Sequence, residues 1–182
     1  MTAVELHALP PAPPGVDQWL FAGVLAERRN PNQFHTPAHG AVSATLSVIL
    51  GNWAKEHRTA GFRTFGYGCP YLLGTNPDTL VSYDASIARP AAPIGNDAPW
   101  VEGPPLLAVE VIERDEDFVA VDRLVWAGLS AGVKTVWVID PFEEYVAVHR
   151  PDRRPLLVRG ASDLPGDPDL PGFRCKVAEI FE

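Results

Sequence analysis

Residues 106–112, LLAVEVI, have the apolar, β-branched composition of a strand covered on both faces, yet Glu110 stands in the middle of them. A second apolar run, LVSYDASIA over residues 80–88, carries Asp84 in the same way. Taking an ionised carboxylate out of water costs several kcal/mol unless it is paired, hydrogen-bonded or bound to a metal. Any fold of this chain must therefore bring a cation or a set of donors to two strand interiors.

The segments around these runs define the frame. Thr36 and Pro37 suit the N-cap and first position of a helix over 37–57, and Val42, Leu46, Ile49, Leu50 and Trp53 share one face of it. Gly61 is placed to end it. RTFGYGCPYLLG and TLVSYDASIAR, joined by TNPD, read as a β-hairpin. Residues 90–105 form a proline- and glycine-rich loop, long enough inside one domain to suggest function or motion. A second helix follows over 116–131, with Phe118, Val121, Leu124, Val125, Gly128 and Leu129 as its inward stripe. Strands are expected over 135–140, 145–150 and 155–160. For 17–30, DQWLFAGVLAERRN, the pattern fits a short helix or a helix followed by a strand and does not separate the two. The order of elements predicts a single α/β domain over 1–182, a mixed β-sheet with flanking helices, preceded by a proline-rich lead-in over 1–15.

Composition narrows the partners. A net charge of −8 with only three lysines does not attract nucleic acid by its overall field, so such contact would need a local arginine patch. Arg28–Arg29 and Arg153–Arg154 are the doublets, and each is expected to be solvated surface. No run approaches the roughly 20 apolar residues of a membrane helix. The start lacks the basic and apolar regions of a secretory signal, and Cys69 and Cys175 form no CxxC pair, so a reducing cytoplasm is expected.

Two convergent carboxylates are a common way to hold Mg²⁺, which prefers oxygen ligands. The competing reading is that each acid pairs with an arginine or lies at a strand end. His35 and His39 have the HxxxH spacing of a metal pair, but Pro37 between them puts His35 ahead of the helix and argues against a shared ligand set. His149 is expected to face solvent. No P-loop, dinucleotide fingerprint or nucleophile elbow is present.

The stretches HTPAHGAVSATLSVIL, SYDASIA, LLAVEVIERD, SAGVKTVWVIDPFEEYVAVHRP and DLPGFRCKVAEIF together resemble the Uma-two-like restriction-endonuclease family, part of the PD-(D/E)xK nuclease superfamily. The resemblance covers residues 34–181 and implies a restriction-endonuclease-like core. It also implies that Asp84 and Glu110 are catalytic ligands of Mg²⁺ (or Mn²⁺) in a nuclease hydrolysing phosphodiester bonds. Three positions depart from the family pattern. Tyr83 replaces a proline before the aspartate, and Glu113 replaces a serine after the glutamate strand. Leu124 stands where the family carries a helical lysine, which leaves the adjacent Arg123 as the candidate catalytic cation. His39 matches a histidine common near the first helix start. The resemblance therefore supports two expectations: a Mg²⁺-dependent hydrolase acting on nucleic acid, or an inactive nuclease-fold binding or regulatory module, in either case a homodimer without a membrane segment.

Overall fold

The computed structural model describes residues 1–29, 34–90, 99–115, 118–166 and 168–182, so residues 91–98 of the 90–105 loop lie outside the described residues. In chain order the first elements are helix α1 (Ala3–His7), strands β1 (Val16–Phe21) and β2 (Val24–Arg29), and helix α2 (Pro37–Glu56). Strands β3 (Arg63–Gly66), β4 (Pro70–Gly74), β5 (Thr79–Ser82), β6 (Ala85–Ala88), β7 (Val101–Glu102) and β8 (Leu107–Val111) follow. Helix α3 (Phe118–Ser130) leads to β9 (Thr135–Asp140), β10 (Tyr145–His149) and β11 (Leu156–Arg159).

These strands form two mixed sheets rather than the single one expected: a six-stranded sheet in the order β11-β10-β9-β8-β6-β3 and a five-stranded sheet in the order β2-β1-β5-β4-β7. Two features hidden in the sequence account for the second sheet. Residues 17–30 hold no helix within the described residues: β1 and β2 pair antiparallel from Val16↔Arg29 to Phe21↔Val24. Their turn residues, Ala22 and Gly23, both take positive φ, 49° and 79°, as a two-residue type I′ turn requires. The other feature is the expected hairpin, which bends from one sheet into the other. Its tip, β4 and β5, pairs in the small sheet, and its base, β3 and β6, pairs in the large one. Tyr83 and Asp84 are the corner between β5 and β6.

Each face of the large sheet has its own core. Strand alternation turns Leu107, Val109 and Val111 of β8 towards α2, where Val42, Leu46, Leu50 and Trp53 cover them as the helical spacing requires. Ala108 and Ile112 turn the other way, towards α3 and the small sheet. Here Val121, Leu124, Val125 and Gly128 of α3 are buried as expected. Phe118, the first residue of the helix, is not: it is 56 % exposed, and its place in the inward stripe is corrected accordingly. His149, expected to face solvent, is half-buried, and burial lowers its proton affinity despite the nearby Asp122 carboxylate. The proline-rich lead-in begins with α1, closed by a Thr2–Glu5 capping box and tied to the small sheet by the Ala3 N–H donating to Asp78 Oδ2 at 2.8 Å. No helix among the described residues is long and apolar enough to cross a membrane.

Gly128 is where α3 meets the corner. A Cβ there would stand 2.5 Å from the Tyr83 hydroxyl and 3.3 Å from Val133 Cγ2. Tyr83 is 2 % exposed, so its ring has little room to withdraw. Gly128→Ala is expected to lose about 1–3 kcal/mol in urea unfolding, although alanine is the better helix former. Unchanged stability would mean that the corner yields freely.

Candidate active site

The corner that switches sheets also sets Asp84. Its N–H donates to the Val109 carbonyl at 3.0 Å, and its Oδ2 accepts from the Val111 N–H at 2.7 Å. The carboxylate thus takes an acceptor place that a backbone carbonyl would fill in an unbroken ladder. The β6–β8 register begins at Ala85↔Val109, and the Asp84 N–H on that same Val109 carbonyl leaves Asp84 just ahead of the ladder, next to the strand that carries Glu110. Both acids are buried, at 3 % and 2 % exposure. Asp84 Oδ1 is buried and closes no hydrogen bond among the described residues.

Glu110 has the same alternation as Ala108 and Ile112 and so faces the small sheet. Arg28 arrives there from β2, its Nη1 donating to Glu110 Oε1. This corrects the reading of Arg28 as solvated surface: it is 7 % exposed, whereas its neighbour Arg29 is exposed. The guanidinium is fixed from behind by Asp17, its cross-strand partner, through Nε at 3.2 Å and Nη2 at 3.0 Å, and it lies 4.9 Å from the Trp19 ring centre. Tyr67 completes the chain by donating its hydroxyl to Asp17 Oδ1 at 2.9 Å. For Glu110, then, an arginine offsets the cost of burial. The missing signal was the β1–β2 hairpin: once its register is known, Asp17 and Arg28 stand opposite each other.

A third acid enters from the end of β8. Glu113 is 5 % exposed and accepts from the Thr36 N–H at 3.0 Å and the Thr36 hydroxyl at 2.9 Å. The same hydroxyl oxygen accepts from the His39 N–H at 3.3 Å, so one residue caps α2 and anchors it to β8. His35 Nδ1 lies 3.1 Å from Glu113 Oε1, and the His35 ring stacks on His39 with centroids 3.9 Å apart. His35 does precede the helix, but the expected consequence does not follow. The extended backbone at Thr36 folds it back over His39, and Pro37 does not separate the pair. His39 is 4 % exposed, with Nε2 3.4 Å from Asp84 Oδ2. Burial lowers its proton affinity, but the Asp84 and Glu113 carboxylates outweigh this and raise it above the ordinary histidine value.

Helix α3 presents less to this centre. Leu124, where the resemblance implies a lysine, is fully buried in the apolar cluster of the α3 side. Arg123 is exposed, its guanidinium 4.5 Å over the ring of Phe21 in β1. The arginine against Glu110 is Arg28. A divalent cation suits this donor set in one respect, because Asp84 Oδ1 is a buried oxygen in want of a positive partner. In another respect it meets competition, because Arg28 already holds Glu110 Oε1.

A family model described as Uma2, "Putative restriction endonuclease", matches residues 4–178. Among solved structures, the fold is similar to that of a "putative nuclease belonging to DUF820" from Anabaena variabilis ATCC 29413. The TM-score is 0.77 at 18 % identity, over 100 % of this chain and 97 % of that one. At that identity the likeness speaks for the fold alone. No curated protein matches the sequence.

Proposed function

The chain belongs to the Uma2 family, described as "Putative restriction endonuclease", and from that premise we propose that it is a metal-dependent nuclease whose centre is the Asp84–Glu110 pair. One observation carries the reading. Asp84 is buried with one carboxylate oxygen fixed by a backbone N–H and the other without a hydrogen bond among the described residues, one residue ahead of the strand that pairs with the one carrying Glu110. In this reading Asp84 and Glu110 hold Mg²⁺ or Mn²⁺, which supplies Lewis-acid stabilisation for attack of water on a phosphodiester. The protein's own part is positioning. The Val111 N–H fixes Asp84, Arg28 orients Glu110, and His39, with its raised proton affinity, holds a proton beside Asp84 Oδ2. Arg123 would serve as a phosphate-facing cation at the rim once it leaves Phe21. The substrate would be nucleic acid, met in the cytoplasm.

Calorimetric titration with Mg²⁺ and Mn²⁺, alongside cleavage assays on DNA and RNA, tests this. Asp84→Asn is expected to abolish measurable metal binding and to lower cleavage by about 10²–10³-fold. Metal-dependent cleavage that survives Asp84→Asn unchanged would remove Asp84 from the chemistry.

A second reading is a catalytically inactive nuclease-fold module, acting as a homodimer that binds or regulates. Burial of Leu124 in place of a lysine favours it, as does the Arg28 guanidinium already seated on Glu110. Its signature would be nucleic-acid or protein binding by a dimer in sedimentation, with no cleavage under any divalent ion.

A further inference from the structure

We propose that His35, His39 and Glu113 form a second cation site, for a borderline transition ion of the zinc class, beside the Asp84–Glu110 pair and chemically distinct from it. The inference does not depend on the nuclease reading. One ligand atom from each of the three residues lies within 4.8 Å of the others. Ligand atoms on tetrahedral zinc, with bonds of about 2.0–2.1 Å, stand roughly 3.3 Å apart. The 3.1 Å between His35 Nδ1 and Glu113 Oε1 is already close to such an edge.

The scaffold is rigid on two sides and open on the third. Glu113 is held at the end of β8 by both donors of Thr36, and His39 sits in the first turn of α2, buried. His39 Nε2 is itself a buried nitrogen that closes no hydrogen bond among the described residues. The His35 side chain is 31 % exposed and provides the entry. Across Nε2, Asp84 Oδ2 at 3.4 Å adds a fourth donor atom, an oxygen, within reach of the cluster.

The donor chemistry selects the ion. Two imidazoles and one carboxylate suit Zn²⁺ and its neighbours, while Mg²⁺ prefers all-oxygen ligands and keeps its waters. The positive end of α2 works against a cation here, and the charges of Glu113 and Asp84 work for it. On binding at His35 Nδ1, the ion would replace the hydrogen bond to Glu113 Oε1, and the ring would carry its one hydrogen on Nε2 and stay neutral. Occupancy would clip the start of α2 to the end of β8 and keep His39 neutral next to Asp84.

Chelator-treated protein titrated with Zn²⁺ by calorimetry, with zinc X-ray absorption on the complex, tests the site. One equivalent with imidazole scattering is expected. His35→Ala and Glu113→Gln should each weaken binding by at least about 100-fold, while Asp84→Asn should keep imidazole-ligated zinc even where it loses its response to Mg²⁺. His35→Ala removes a part-exposed ring, so an unchanged circular-dichroism melt shows that any loss of binding is local. Oxygen-only scattering, or His35→Ala binding zinc as the wild type does, would overturn the proposal.

Discussion

Replacing Arg28 with methionine is expected to cost about 3–5 kcal/mol of stability, because it removes one partner of a buried ion pair and strands the other. Arg28 and Glu110 are 7 % and 2 % exposed, so water cannot readily replace the guanidinium. The same change also releases Asp17 and the stacking on Trp19, although Asp17 is partly solvated and adds less. Urea unfolding measures the loss. The pair with Glu110→Gln supplies the control. If stranded charge is the cause, the double variant recovers most of the stability, since replacing both members of a buried pair is far milder than breaking it. A loss below about 1 kcal/mol in the single variant would mean that Glu110 finds its compensation elsewhere.

Val125→Asp should destabilise by more than about 3 kcal/mol. Val125 is 6 % exposed, on the face of α3 that packs with Ala108, Ile112, Val136 and Val138 into the core between the large sheet and the small one. An aspartate there gives up the transfer of an apolar side chain and sets a charge among the apolar residues of that cluster. Thermal unfolding read by circular dichroism decides the matter, and a wild-type melting curve would put this face of α3 in solvent. The same packing bears on Leu124→Lys. A lysine at a fully buried position meets the same penalty, so restoring the family's residue is expected to weaken the fold before it can aid catalysis.

The two predictions draw on parts of the protein that differed in legibility. The α3 stripe, α2 with its Thr36 cap, and strands β8 to β10 follow from periodicity and end signals, since each has a length and spacing that only one element satisfies. The small sheet did not follow. Its hairpin turns on Ala22 and Gly23, where alanine in a left-handed conformation leaves no mark in the residue pattern. The site divided along the same line. Asp84 and Glu110 stood out because a charge inside an apolar run is a local anomaly. The partners, Arg28 for Glu110 and His35 for Glu113, lie 82 and 78 residues away in the chain and become visible only when the strands have been paired. Phe118 shows the limit of periodicity itself: the stripe is read correctly, but where the helix first meets the sheet is set by the tertiary packing.

The seat of Arg28 on Glu110 has a thermodynamic consequence. Two positive charges set against one carboxylate repel each other even on different lone pairs, so docking of the β1–β2 hairpin and capture of a cation by Glu110 are linked with opposite sign. Reciprocity makes the coupling equal in both directions. Whatever loosens the hairpin raises the affinity of Glu110 for a cation, and a cation bound at Glu110 loosens the hairpin by the same factor. The small sheet is thereby the protein's own antagonist at this position, with an effective concentration fixed by the fold.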